Sequence, residues 1–256
     1  MIRMSESELK NNAIVYTYPC GNVDIICASD RSFVGSGWEE VGAKPPQRAK
    51  RAKGKKSEGD DRLRSMRRAR SNLRRLALAN DFDVFVTLTL DPAKVDRYDS
   101  AAVTKVLNRW CDNMVRRHGL RYILVPEQHK DGAFHFHGFF AGAGLRLEDS
   151  GVEWDGQTVY NLPQWGYGFT TAQKLYGTYS AAVGYCCKYI GKQDGVRPMG
   201  RWYYSGGALA EPEKTYAVLE YRELQERYRK EAVEFEIPGG KILVIHTKGE
   251  SNNLGI

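Results

Sequence analysis

Polar and apolar positions alternate along several short stretches of this chain and follow a helical period along others. Two strand-like runs open it, Ala13-Ile14-Val15-Tyr16-Thr17-Tyr18 and Val23-Asp24-Ile25-Ile26-Cys27, with Pro19-Cys20-Gly21-Asn22 as the turn between them. Residues 41–60 are polar, basic and broken by Gly and Pro, which predicts a mobile linker. A helix is predicted from Asp61, its stripe being Leu63, Met66, Leu73 and Leu76, with Asn80 as its stop. Residues 82–90 read as a buried strand with Phe85, Thr87 and Thr89 on one face, ended by Asp91-Pro92. Residues 100–118 form an amphipathic helix on Val103, Leu107, Trp110 and Met114. A hairpin follows at 121–141, then loops with short strands at 142–170. A helix is expected over 172–193, an irregular loop over 196–212, a charged helix over 213–232, and a last strand at Ile242-Leu243-Val244-Ile245. No internal repeat or heptad array is visible.

The hairpin carries the chemistry. In Phe134-His135-Phe136-His137 the alternation puts both imidazoles on one face and both phenyl rings on the other. Two imidazoles on a rigid strand make half of a divalent-metal site. Glu127, at the end of the preceding strand and across the turn His129-Lys130-Asp131-Gly132, can sit beside them. This donor set suits Mg²⁺ or Mn²⁺ completed by water and phosphate oxygen, with Zn²⁺ the alternative from ligand type alone. Downstream, Tyr185 and Tyr189 lie one helical turn apart, with Lys188 and Lys192 sharing the adjacent face. Tyrosines at this spacing are commonly core residues. Beside a metal they gain another reading, because a metal-bound phosphodiester is a better electrophile for a phenol.

Charge sharpens the picture. The chain has 256 residues, 42% of them hydrophobic, and a net charge of +7, which favours a polyanionic partner. Roughly a third of the Lys and Arg falls between Arg48 and Arg75. On the helix from Asp61, Arg64, Arg67, Arg68, Arg74 and Arg75 read either as a solvated face or as phosphate-binding residues for duplex DNA. Trp165, Tyr167, Trp202, Tyr203 and Tyr204 could stack on bases or simply pack. Five cysteines, none in a C-x-x-C pair, indicate neither a disulfide framework nor a Cys zinc site. With no signal-peptide pattern and no span-length apolar run, the expectation is a soluble, cytoplasmic protein.

The order of these features resembles the HUH endonucleases that initiate rolling-circle replication in single-stranded DNA phages and some plasmids. The family's first motif is matched by residues 85–92, its second by His135 and His137, and its third by residues 185–192. Glu127 falls where related initiators carry an acidic ligand, and the paired tyrosines resemble the phage gene A type. Gly168 and the segment 201–212, including Arg201, also look similar. The resemblance spans about 82–212. It implies an α+β fold on a central antiparallel sheet of about five strands with packed helices (HUH or RRM-like), the site on the sheet's open face. It divides the chain into an N-terminal extension (1–80), a nicking-joining domain (81–212) and a C-terminal helix and strand (213–256).

The implied activity is metal-dependent nicking and joining of single-stranded origin DNA through a 5′-phosphotyrosine. Tyr185 and Tyr189 would alternate as nucleophiles, with Lys188 or Lys192 contacting phosphate or assisting proton transfer. Host helicase and polymerase are the implied partners in a bacterial cell, since no G-x-x-x-x-G-K-[ST] is present. The late tyrosines, and the absence of a histidine between His137 and His246, argue against a conjugative relaxase. A transposase or recombinase with the same chemistry remains open. So does a non-catalytic nucleic-acid-binding protein.

Overall fold

A computed structural model describes residues 11–29, 31–34, 37–40, 58–175, 179–192, 197–237 and 239–247. Most of the linker expected at 41–60 lies outside the described residues. The chain forms two compact units, one of Met1–Gly54 with Pro212–Ile256 and the other of Lys55–Glu211.

In the second unit, α1 (Glu58–Leu78) precedes β5 (Val84–Thr89), α2 (Ser100–His118), β6 (Arg121–Gln128) and β7 (Phe134–Ala141). Then come β8 (Glu148–Trp154), β9 (Gln157–Asn161), β10 (Thr170–Lys174), α3 (Tyr179–Tyr189) and β11 (Tyr204–Gly206). Their sheet runs β11-β6-β7-β5-β10-β9-β8, all neighbours antiparallel. The α+β antiparallel expectation holds, but this sheet has seven strands rather than about five. The surplus comes from Gly- and Tyr-rich stretches, β8–β9 and β11, whose weak alternation reads as loop.

One face of this sheet is core. Val84, Val86 and Leu88 of β5, Leu124 of β6 and Phe134, Phe136 and Phe140 of β7 pack on Val103, Leu107, Trp110, Cys111 and Met114 of α2. Each buried aliphatic or Phe side chain contributes about 1.5–3 kcal/mol, so this stripe fixes α2 on that face. The helix is bounded as its ends require. Asp99 accepts from Ala101 N at 2.8 Å, and Gly119 closes it in the left-handed region at φ 62°.

On the other face stand Phe139, His137 and His135, paired with Phe85, Thr87 and Thr89 of β5. α3 packs against β6 and β7 on this side, and α1 against α3. The buried stripe of α1 is Ala69, Leu73 and Ala77, whereas Leu63 is 46% exposed. Asn80 does end the helix: its Nδ2 donates to Leu76 O and Ala210 O, and its Oδ1 accepts from Ala210 N.

The first unit brings together the two ends of the chain. Its strands are β1 (Ala13–Thr17), β2 (Val23–Ala28), β12 (Glu213–Ala217), β13 (Ala232–Ile237) and β14 (Gly240–Thr247), in the order β12-β1-β2-β14-β13. A short separate hairpin is formed by β3 (Arg31–Val34) and β4 (Gly37–Glu40). Ala13, Val15, Ile25, Cys27, Leu243 and Ile245 make the core with Leu224 of α4 (Tyr221–Arg227). Asn12 bonds Leu219 at both backbone groups, each at 2.8 Å. The buried Asp24 carboxylate accepts from Tyr18 and from His246, both at 2.7 Å.

Two helix boundaries differ from expectation. Residues 170–174 are strand, because the backbone of Thr170–Lys174 pairs with the free edge of β5, and the helix starts only at Tyr179. Glu213–Ala217 is likewise a strand because it finds the edge of β1, and only Tyr221–Arg227 is helical there. Both segments have helical composition, and edge pairing overrides it.

Candidate active site

The register builds the site strand by strand. Glu127 of β6 is opposite His135 of β7, which is opposite Thr89 of β5; His137 is opposite Thr87. Residues directly opposite in antiparallel strands share a face. Glu127, His135, His137, Thr87 and Thr89 therefore converge on the side where α3 lies. The two threonines hold the imidazoles: Thr87 Oγ1 is 3.1 Å from His137 Nδ1, and Thr89 Oγ1 is 3.3 Å from His135 Nδ1. With each Nδ1 engaged, each Nε2 is turned outward, the orientation that hydrogen-bonded metal-binding histidines adopt.

His137 Nε2 lies 2.7 Å from one Glu127 oxygen, and Lys192 Nζ lies 2.9 Å from the other. Burial alone would raise the Glu127 pKa, but Lys192 and His137 together hold it below the usual carboxylate range. Burial lowers both histidine pKa values. Glu127 opposes that lowering at His137, and the neighbouring His129 adds to it at His135. Neutral imidazoles beside an ionised carboxylate are the protonation states that metal ligation needs. In the neutral form His137 donates from Nε2 to Glu127, and Thr87 donates to Nδ1.

α3 brings the tyrosines onto this face. The Tyr189 ring stacks on His137, centroids 4.0 Å apart and planes at 13°. Lys192 Nζ sits 4.2 Å from the Tyr189 centroid. Tyr189 Oη donates to Tyr185 Oη at 2.7 Å, and Tyr185 packs edge-on against Phe85. Tyr189 is 8% exposed and Tyr185 50%. Burial, and then the bond to Tyr185, push the Tyr189 pKa up. Two phenols, two imidazoles, a carboxylate and an ammonium thus form one connected cluster on a half-open surface. Lys188 is exposed at the end of α3.

The donor set fits a divalent cation in kind: two imidazole Nε2 atoms and a carboxylate, with the two Nδ1 atoms oriented by hydroxyls. Among the described residues, no three His, Cys, Asp or Glu side chains already enclose a metal ion. Glu127 is engaged instead by Lys192 and His137.

The arginines lie along α1. Arg64, Arg67 and Arg68 are exposed, Arg74 and Arg75 half-buried. Arg70 Nε donates to Ile190 O at 2.8 Å, which docks α1 against the end of α3 and places the exposed arginines beside the tyrosine helix. Arg201 is exposed, 5.6 Å from the Tyr204 centroid. The aromatic residues suggested for stacking are mostly packing residues. Trp165, Trp202 and Tyr204 are buried, and Trp165 meets Trp110 edge-on at 5.1 Å.

Three features escaped the sequence reading. Thr87 and Thr89 orient the histidines, a role their shared face with Phe85 hinted at. His129, in the hairpin turn, reaches the His135 ring at 4.6 Å. Gly138 lets β6 and β7 approach: a Cβ there would stand 1.8 Å from Ile123 O.

Among the described residues no helix is long and apolar enough to cross a membrane. No curated protein and no solved structure matches the chain. Residues 83–194, which run from β5 through the tyrosine helix, match the family model for the replication-associated protein described as ORF2 or gene 2 protein. That match supports a place for this chain among rolling-circle, Rep-type replication initiators.

Proposed function

We propose that this protein nicks and rejoins single-stranded DNA at a replication origin by tyrosine transesterification, as a two-tyrosine HUH initiator. The observation that carries the reading is the joining of both tyrosines to the His-x-His strand, through the stacked His137–Tyr189 pair and the Tyr189–Tyr185 hydrogen bond. Packing alone does not call for hydroxyl-bearing residues at Thr87, Thr89, Tyr185 and Tyr189 together around two imidazoles.

His135, His137 and Glu127 would hold Mg²⁺ or Mn²⁺, with Zn²⁺ the less suited cation. When bound, the cation would polarise the scissile phosphate and offset charge developing on it. The chain's own groups do the rest. Tyr185, half exposed, is the phenol that an incoming strand reaches first; Tyr189 is held close behind it. The phenol oxygen attacks phosphorus in line and the P–O3′ bond breaks. The phenolic proton is taken up as the 3′ oxygen gains one. The products are a 5′-phosphotyrosine and a free 3′-OH for polymerase. The ester keeps the bond energy, so the reverse attack rejoins ends without a nucleotide cofactor. Lys192 and Lys188 supply positive charge at the phosphate, and Arg64, Arg67, Arg68, Arg74, Arg75 and Arg201 supply salt-dependent affinity for the DNA backbone. Host helicase and polymerase would act on the product, in the cytoplasm of a bacterial host.

The test uses 5′- and 3′-labelled single-stranded origin DNA with Mn²⁺ and a denaturing gel. Wild type is compared with Tyr185→Phe, Tyr189→Phe and the double variant. The expected result is an adduct through the 5′ end, abolished by EDTA and by the double substitution. Tight binding with no adduct on a cleavable origin would sink the catalytic reading in favour of a binding protein. Cleavage at transposon ends instead of an origin would reassign the biology and leave the chemistry intact.

A further inference from the structure

Phe169 is 79% exposed, more than any other large hydrophobic residue described. A single exposed aromatic is ordinary; its position here is not. Thr89 N donates to Phe169 O at 2.9 Å, which continues the β5–β10 register beyond Thr170↔Leu88 and puts Phe169 opposite Thr89. Its neighbour Thr170 is buried, and Thr171 is exposed opposite Thr87. Strand alternation therefore turns Phe169 to the histidine face. Glu127, His135, Thr89 and Phe169 form one row across four adjacent chain segments. With strands about 4.8 Å apart, Phe169 stands about 10 Å from His135 along that row.

The ring's mount is rigid. Trp165 Nε1 donates to Thr89 O at 2.9 Å and Asp91 N donates to Tyr167 O at 2.8 Å. A Cβ on Gly168 would lie 2.1 Å from Thr89 O, so the loop is pressed flat against β5 at this point. Lys94 Nζ reaches Gly166 O at 3.1 Å, adding a cation to the same loop. A flat apolar ring fixed beside a polar, cationic site is what an unpaired base stacks on.

We infer that Phe169 is a positioning residue that stacks a base of single-stranded DNA near the scissile phosphate. This inference rests on the function proposed above and adds the subsite that distinguishes an unpaired strand from a duplex. Stacking needs a base whose face is open. A duplex offers only its ends.

The test is binding without chemistry. Fluorescein-labelled (dT)20 and a labelled 20-base-pair duplex are titrated in EDTA at low salt against wild type, Phe169→Ala and Phe169→Trp. Phe169→Ala should weaken (dT)20 binding by about 5-fold or more, the low end of one base–aromatic stack, and leave duplex binding unchanged. Phe169→Trp should restore (dT)20 affinity, and its added indole emission should be quenched by (dT)20. Equal (dT)20 affinity of wild type and Phe169→Ala, or equal losses on single strand and duplex, would overturn the inference. In either case a 5′ adduct formed by wild type would leave the nicking function standing. Failure of wild type to bind (dT)20 at all would overturn both.

Discussion

Replacing Gly138 by alanine should force β6 from β7, and with them Glu127 from His137. The new Cβ would stand 1.8 Å from Ile123 O, 2.8 Å from its carbonyl carbon and 2.9 Å from Leu124 Cα. All three are backbone atoms of the partner strand, so no side-chain rotation relieves the contact. Reaching the 3.0 Å that Cβ atoms tolerate moves the strands apart by about 1.2 Å. Ladder bonds near 2.9 Å then stretch beyond the limit of about 3.5 Å. Losing two flanking bonds costs about 1 kcal/mol each, and the overpacking adds about 1–3 kcal/mol, so a loss of about 3–5 kcal/mol follows. Gly184→Ala is the matched control. Gly184 is exposed in α3 with nothing within 4 Å of its added Cβ, so the same substitution there should stabilise by about 0.5–1 kcal/mol. Urea unfolding followed by tryptophan emission reads this unit, since Trp110, Trp165 and Trp202 are all buried in it. A Gly138→Ala protein within about 1 kcal/mol of wild type would refute the close-approach argument. So would equal destabilisation by the two alanines.

Further outcomes follow from the same geometry. Thr87→Val with Thr89→Val removes the hydroxyls that orient both imidazoles, and Mn²⁺ affinity by calorimetry should fall about 10-fold or more with the fold intact by circular dichroism; unchanged affinity would count against the threonines' role. Lys192→Met removes the ammonium that occupies a Glu127 oxygen, and since that lysine is about half exposed, Mn²⁺ should bind only about 2- to 5-fold tighter while nicking slows. Weaker Mn²⁺ binding would mean that Lys192 organises Glu127 rather than competing for it. Thiol titration of the native protein at pH 8 should show rapid reaction at the exposed Cys20. Cys27 and Cys111 should stay protected, because burial pushes their thiols up to about 12 and only the thiolate attacks the reagent; fast modification of either would contradict its burial.

Residue order alone sufficed for the parts of this protein whose information is local. Period-2 alternation sets β5 and β7, period-3.6 spacing sets α2 to the residue, and the His-x-His and Tyr-x-x-x-Tyr spacings put their side chains on shared faces. The hairpin at 129–133 is short enough that Glu127 had to return beside His135. Other features depend on partners far along the chain. Segments 170–174 and 213–217 are strands only because β5 and β1 offer them free edges. The terminal strands share one sheet because β2 and β14, more than 200 residues apart, complete each other's ladder. The stacking of Tyr189 on His137, the grip of Lys192 on Glu127 and the exposure of Phe169 beside the histidine row likewise arise where α3 and the β9–β10 loop land on the sheet. Periodicity assigns a side chain to a face of its own element. Only packing and backbone pairing with distant elements decide what that face meets.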